Sequence, residues 1–392
     1  MSALQIDKRI EDSLRTRLDQ GPLITVRLDL INKCNLRCQF CYYSDPKIAA
    51  RPTKTVSLDT FDQWLHRLGP NIKEIVLSCG DEPFMAPRFI DILKTVSTFG
   101  DSLDVGLCTN AMLMSPRIRA ALIEYGLTYI IFSMDGVTKK TLERIRVKSD
   151  YERIVGNIKA LKKLRDRANA RYPRFLFNYV IMRSNLHETL DFLDMCKELG
   201  ADLVDFRHVV PTQYWDIEDE KLENFPHIFN AYRERIVAKA KSLALDVVIS
   251  PPMESASEPY AIPDPDQSML DDFNAVEADD SHGLIPTPKP FASSFESRKP
   301  LDLPQEFFAN SYCARPFREI VIRDQKEVLP CPWHGRVLGE LDEETDLKHV
   351  FLGEGFANLR STMLRGEVDP ACRHCPVKSH LLPNSIISGN QE

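Results

Sequence analysis

No stretch of this 392-residue chain approaches the roughly 18 to 20 consecutive apolar residues that a membrane-crossing helix needs. The opening residues, Met1 to Lys8, hold no apolar core of a secretory signal. No block of lysine or arginine stands out, and a formal charge of −7 with a pI near 5.8 has the wrong sign for a general nucleic-acid or anionic-membrane surface. These absences predict a cytoplasmic protein with no nucleic-acid and no membrane partner. In that compartment the ten cysteines read as metal ligands and buried thiols, not as a disulfide framework. A hydrophobic content of 43% over this length suffices for two domains, each with its own core.

Three of the cysteines, Cys34, Cys38 and Cys41, are spaced C-x3-C-x2-C directly after the strand-like run Leu23 to Leu30. Thiolates this close can grip one metal centre, and because an iron–sulfur cube wants four ligands, three leave one iron open to bind and reduce a small molecule. A structural zinc site is the competing reading. It usually shows paired C-x2-C knuckles, and no second knuckle lies nearby.

A lead of residues 1–22 carries Ile6, Ile10, Leu14 and Leu18 on one helical face. Over residues 23–250, short apolar runs alternate with helical patterns: Leu23 to Leu30, Glu74 to Ser78, Leu103 to Cys108, Tyr129 to Ser133, Arg174 to Met182 and Leu203 to Val209 read as strands. Ser115-Pro116 predicts a capped helix start, and Asn185 with Glu188 a capping box for a helix that ends at Gly200. Six strand-then-helix units imply an α/β fold with a parallel sheet and an active site at the carboxyl ends of its strands. Residues 251–311, rich in Pro, Ser and acidic side chains, mark a linker or long loop. Beyond it lie residues 312–392, in which Cys313, Cys331, Cys372 and Cys375 form a C-x17-C-x40-C-x2-C set. Between the first two of these, Arg318 to Arg323 and Glu327 to Leu329 read as a hairpin, and Phe356 to Gly366 as a helix with a glycine stop. Four cysteines make a closed site, for which zinc competes with an iron–sulfur cluster.

The C-x3-C-x2-C spacing with Phe40 before its last cysteine resembles the radical S-adenosylmethionine (radical SAM) enzymes. That resemblance implies a six-unit (β/α) partial TIM-like barrel and a four-iron four-sulfur cluster held by Cys34, Cys38 and Cys41. Its fourth iron would chelate S-adenosylmethionine, whose reductive cleavage gives a 5′-deoxyadenosyl radical. A reducing donor such as flavodoxin or ferredoxin is implied as well. Phe40 would sit beside the adenine. Gly80 and Glu82, in Cys79-Gly80-Asp81-Glu82-Pro83, look like the segment that holds the cofactor's amino group, although Cys79 and Asp81 depart from the family's Gly-Gly-Glu-Pro. Thr109, Asn110, Ser133 and Asp135 are similar to segments lining its ribose and carboxylate, and Arg146 to an arginine turned toward the site. Taken singly, these are equally well turn and surface residues. The C-terminal segment looks like the SPASM or twitch extension, which implies a small α+β domain holding one auxiliary four-iron four-sulfur cluster.

Two more candidates end the sixth strand and would both face the substrate side of a barrel: Arg207, able to clamp an anion, and His208, able to move a proton near neutral pH. Such residues also commonly pair with neighbouring loops. Cys108 could donate a hydrogen atom, whereas Cys196 reads as core. The leading expectation is an oxidoreductase that abstracts hydrogen from a small polar, carbohydrate-like metabolite, with the auxiliary cluster accepting an electron. Peptide maturation is the alternative, and a non-catalytic protein with two structural metal sites is an alternative of another class.

Overall fold

The structure is a computed structural model that describes residues 3–21, 23–68, 71–100, 103–209, 217–253, 313, 315–323, 326–332, 334–341, 347–365, 367–372 and 386–387. Most of the expected linker, and Cys375, lie outside these residues. No helix among the described residues is long and apolar enough to cross a membrane.

After helix α1 (Ala3–Gln20) the chain alternates strand and helix six times. Strand β1 (Ile24–Leu28) leads through the cysteine loop and the short α2 (Pro46–Ala49) to α3 (Leu58–Leu68), and β2 (Ile72–Val76) leads to α4 (Phe89–Ser97). Then come β3 (Asp104–Thr109) with α5 (Pro116–Glu124), and β4 (Tyr129–Ser133) with α6 (Lys139–Ile145) and α7 (Tyr151–Arg167). The series closes with β5 (Arg174–Ile181) and α8 (Thr189–Glu198), then β6 (Leu203–His208) and α9 (Pro226–Ser242). All six strands fall within the expected runs or within two residues of them. Strand β7 (Asp246–Val248), three residues long, lies beyond the sequence expectation.

These seven strands pair in parallel in chain order, as consecutive right-handed crossovers require. The C-terminal hairpin, β8 (Glu319–Arg323) and β9 (Glu327–Leu329), forms as expected, and β8 then joins the free edge of β1 in parallel, Val26 opposite Ile320. Two-residue strands complete the edges: β10 (Gly339–Glu340) beside β9 and β11 (Ile386–Ile387) beside β7. No ladder among the described residues joins β7 to β8, so the sheet is an open partial barrel. The α/β partial-barrel expectation is met. The described C-terminal elements, however, do not build a core apart: Ile320, Ile322, Val328, Phe351 and Phe356 pack into the same cluster as Val26, Ile75 and Leu107.

Two local expectations divide. Ser115 caps α5, its hydroxyl accepting from the Ile118 amide. The Asn185/Glu188 capping box needs correction: the Asn185 side chain accepts instead from the Met182 amide, and the Glu188 carboxylate accepts from Val137 N–H and the Thr138 and Thr141 hydroxyls, tying the α6 start to the α8 start.

Helices α10 (Leu347–Phe351) and α11 (Glu354–Leu364) return the chain to α1. Leu14 of α1 packs with Phe317, Leu359 and Met363. Beside them the fully buried Arg360 donates to both Glu11 carboxylate oxygens at 2.6 and 2.8 Å and to the carbonyls of Pro316 and Phe351 at 3.1 and 2.9 Å. Arg360→Met fills similar volume but leaves those acceptors without donors. Urea unfolding should show a loss of about 3 kcal/mol, since removing one partner of a buried pair strands the other. A loss under about 0.5 kcal/mol would mean that water replaces the guanidinium.

Candidate active site

The carboxyl ends of β1 to β4 are stitched into one rim. The cysteine loop is pinned by its backbone to the end of α6, with Arg37 N–H donating to Val147 O and Gln39 N–H to Ile145 O, at 2.9 and 3.0 Å. The Arg37 guanidinium donates to the carbonyls of Cys34 and Leu36, which holds the loop's turn closed. Cys38 is buried, and Cys34 and Cys41 are half-buried, each lying against the main core. Burial pushes all three thiols up, Cys38 to about 12, while the Arg146 guanidinium pulls Cys38 and Cys41 back. Any metal arriving must therefore displace protons. Among the described residues, neither group of donor atoms lying within 4.8 Å of one another includes these cysteines. They are spread more widely than ligands of a single ion.

Asp29, one residue past β1, accepts the backbone N–H groups of Cys79, Gly80 and Asp81 at 2.7, 2.9 and 3.2 Å, so one carboxylate shapes the whole loop after β2. Asp81 in turn accepts the hydroxyls of Tyr42 and Tyr43 at 2.9 and 2.6 Å, fastening that loop to the residues after Cys41. A side chain at Gly80 would put its Cβ 2.6 Å from the Tyr42 hydroxyl, so glycine is required for this close approach. Asp29, Tyr42, Tyr43 and the role of Asp81 were not among the sequence candidates. Asp29 left one trace, a lone carboxylate ending an apolar run.

Glu82 is 2% exposed. Its carboxylate accepts the Thr109 hydroxyl at 2.7 Å, the Asn110 N–H at 2.9 Å and the Phe84 N–H at 3.3 Å, joining the loops after β2 and β3. Asn110 donates through Nδ2 to Asn35 Oδ1 at 3.0 Å, with Cys34 Sγ at 3.9 Å. Burial outweighs these donors and raises the Glu82 carboxyl from 4.5 to about 7. Because the folded value lies above the unfolded one, the group's contribution to stability is full below about pH 4.5 and is lost as pH rises through about 7. Glu82→Gln should flatten that part of the pH–stability curve and cost about 1 kcal/mol, because an amide NH2 meets a donor where an oxygen stood. An unchanged slope between pH 4.5 and 7 would assign the titration elsewhere.

Of the two neighbouring arginines, Arg144 stays in solvent and Arg146 turns inward. Its Nε lies 2.7 Å from Asp135 Oδ2, its Nη1 lies 3.8 Å from Cys38 Sγ, and its guanidinium sits 5.9 Å from the centre of the Phe40 ring. Asp135, wholly buried, also accepts the Val180 N–H at 2.8 Å. Phe40 packs against Ile145, Met182, Val209 and Ile217. The structure thus gathers Phe40, Arg146 and Asp135 beside Cys38, and Glu82, Thr109 and Asn110 beside Cys34.

The sheet face away from the helices carries Cys108, Ser133, Asn178, Asp205 and Arg207, with Ser133, Asn178 and Asp205 directly opposite one another and Cys108 and Arg207 two positions off that row. Cys108 Sγ lies 3.2 Å from the Ser133 hydroxyl. Arg207 donates to Asp205 through Nε at 2.8 Å and lies 2.6 Å away through Nη2. The expectation that Arg207 and His208 share this face is corrected. Strand alternation turns His208 the other way, where its ring meets Phe229 of α9 and its Nε2 lies 2.5 Å from the Ser250 hydroxyl. Cys196 is core, as expected.

Beside the cysteine loop opens a cavity of 430 Å³ lined by Asp29, Tyr42, Arg51, Gly80, Asp81 and the hairpin's Arg323 and Cys331, among others. The hairpin therefore brings one of the C-terminal cysteines to the same space as the loop after β2. Cys313 and Cys331 both lie near Arg315, whose pKa, against burial, is raised chiefly by the Glu319 carboxylate and in smaller part by these two thiols. Cys375 lies outside the described residues.

The family model for the Radical SAM superfamily matches residues 28–196. The chain is 28% identical over 193 residues to the AdoMet-dependent heme synthase of Methanosarcina barkeri, covering 49% of this chain and 52% of that one. It is 26% identical over 183 residues to a probable GTP 3′,8-cyclase of Methanothermobacter thermautotrophicus, covering 46% and 56%. It thus spans about half the length of the curated relatives it matches. In fold it is similar to Streptococcus suis SuiB bound to S-adenosylmethionine, with a TM-score of 0.62 and 13% identity over 91% of this chain and 80% of that one. With the matched stretch running from the end of β1 to α8, through the cysteine loop and every loop stitched to it, residues 28–196 form a radical SAM superfamily domain.

Proposed function

We propose that this enzyme abstracts hydrogen from a small polar, carbohydrate-like substrate held on the inner sheet face, and that the net outcome is an oxidation. The observation that carries the substrate class is the pairing of Arg207 with Asp205 on that face. An arginine already neutralised by its neighbour offers directed N–H donors without net charge. Hydroxyl groups suit that arrangement better than phosphate does. The half-buried Ser133, Asn178 and Cys108 extend the polar surface across three strands.

Membership implies a four-iron four-sulfur cluster and S-adenosylmethionine, whose reductive cleavage supplies a 5′-deoxyadenosyl radical. In our reading Cys34, Cys38 and Cys41 hold that cluster. Their burial, the adjacent Arg146 cation and their spread beyond single-ion spacing fit a polynuclear anionic group. The Glu82 carboxyl, raised to about 7 by burial, would be held ionised by the cofactor's ammonium beside it, and Gly80 would let that group approach the backbone. Cys313, Cys331, Cys372 and Cys375 form a second metal site, read as an auxiliary cluster that serves as an electron sink. The cavity shared by Cys331 and the loop after β2 supports that placement.

The test is 5′-deoxyadenosine formation by the anaerobically reconstituted, dithionite-reduced enzyme, with and without two fractions of a cell extract. Stimulation by the protease-treated small-molecule filtrate supports the reading. Stimulation only by protease-sensitive material would replace it with peptide maturation.

A further inference from the structure

Beside Cys372 lies a histidine that the cysteine pattern did not bring forward. His334 is 1% exposed, and its Nε2 makes no hydrogen bond among the described residues. The nearest carboxylate oxygen, Oδ1 of Asp369, is 3.5 Å away, too far for a hydrogen bond of useful strength. On the ring's other side Nδ1 lies 3.2 Å from the Arg336 carbonyl oxygen, closer than the 3.4 Å to the Arg336 amide. The Arg336 backbone thus engages Nδ1, and in the tautomer whose Nδ1–H donates to that carbonyl, Nε2 presents a lone pair. A ring nitrogen hydrogen-bonded to a backbone carbonyl is also how metal-binding histidines are oriented.

The backbone supports the same conclusion. Cys331-x2-His334 is a tight turn, with His334 N–H reaching Cys331 O at 3.3 Å, and Asp369-x2-Cys372 is another, with Cys372 N–H donating to Asp369 O at 2.8 Å. Two-residue spacing between donors is what metal knuckles use. Across the two turns a ring nitrogen of His334, a carboxylate oxygen of Asp369 and Sγ of Cys372 lie within 4.8 Å of one another. A buried ring nitrogen without a hydrogen bond is costly, and a metal shared with the thiol would satisfy it.

We propose that Nε2 of His334 is a metal ligand of the C-terminal site, taking one of the four positions that the cysteine count assigns to thiolates. This rests on the C-terminal metal site of the proposed function and names a ligand that the cysteine count omits. In an iron–sulfur cluster, neutral imidazole in place of a thiolate removes one negative charge. That raises the reduction potential and suits an electron sink.

The full-length chain with Cys34, Cys38 and Cys41 changed to Ala, reconstituted with iron and sulfide and reduced with dithionite, isolates this site for pulsed EPR. With 15N-histidine incorporated, a strongly coupled 15N signal is expected, and His334→Ala should lose it. His334→Cys should keep the metal and shift the midpoint potential downward. A reduced cluster with no strongly coupled histidine nitrogen overturns the inference and leaves the second cluster standing. If the site takes zinc, X-ray absorption at the zinc edge decides: a nitrogen scatterer lost in His334→Ala supports the ligand, and an all-sulfur shell overturns it. A chain that retains neither iron nor zinc after the triple change, yet unfolds cooperatively, overturns the C-terminal metal site itself. If the triple variant does not fold, the wild-type chain without S-adenosylmethionine gives the same readout, with His334→Gln as control.

Discussion

Changing Cys34, Cys38 and Cys41 together to Ala should reduce 5′-deoxyadenosine formation to the uncatalysed background and, if the C-terminal site holds the proposed second cluster, lower iron from about eight to about four per chain. The loop survives because the stronger bonds that shape it do not involve the thiols. Backbone bonds from Arg37 and Gln39 to residues 147 and 145, and the Arg37 guanidinium on two loop carbonyls, hold it through nitrogen and oxygen alone. The three side chains are small, so truncation to Ala opens little volume, and the variant should unfold within about 1 kcal/mol of wild type per site. Iron and sulfide assays with chromatography of the nucleoside product check both halves. Loss of all iron would show that the two sites do not assemble independently.

Arg146→Met should be the most damaging single change outside the cysteines. Its guanidinium is the only charged partner shown for Asp135 among the described residues, and Asp135 is wholly buried. Removing it strands a carboxylate in the core, which typically costs about 3–5 kcal/mol. The same change removes the cation that pulls the Cys38 and Cys41 thiols down against burial, so cluster assembly should slow as well. Asp135→Asn combined with Arg146→Met separates the two effects. The double variant should recover most of the stability measured in urea, because no charge is left unpaired, yet it should not recover the assembly rate. A single variant within about 1 kcal/mol of wild type would mean that Asp135 takes up a proton at little cost.

Legibility was uneven for reasons that can be stated residue by residue. Strands β1 to β6 were readable because a parallel sheet is buried on one face by helices and leaves short Val- and Ile-rich runs. Strand β7 was not, since three residues carry no period. The hairpin of β8 and β9 was readable from its turn, but its attachment to β1, some 290 positions away, is a long-range choice that no local pattern encodes. Arg207 and His208 were placed together because they are adjacent, although a strand's two-residue period already separates them. The capping box failed because tertiary bonds to Val137, Thr138 and Thr141 claimed the Glu188 carboxylate.

By itself the sequence determined the cysteine loop, its place after the first strand and the serial βα order, because these follow from spacing and local periodicity. Only the tertiary structure decided which distant groups meet: Arg146 at Cys38, Asp29 under residues 79–81, and His334 beside Cys372. The first two meetings satisfy polar groups that burial would otherwise strand, and the third sets an unbonded buried ring nitrogen beside a thiol. Where such groups find partners depends on which strands and turns the whole chain places side by side.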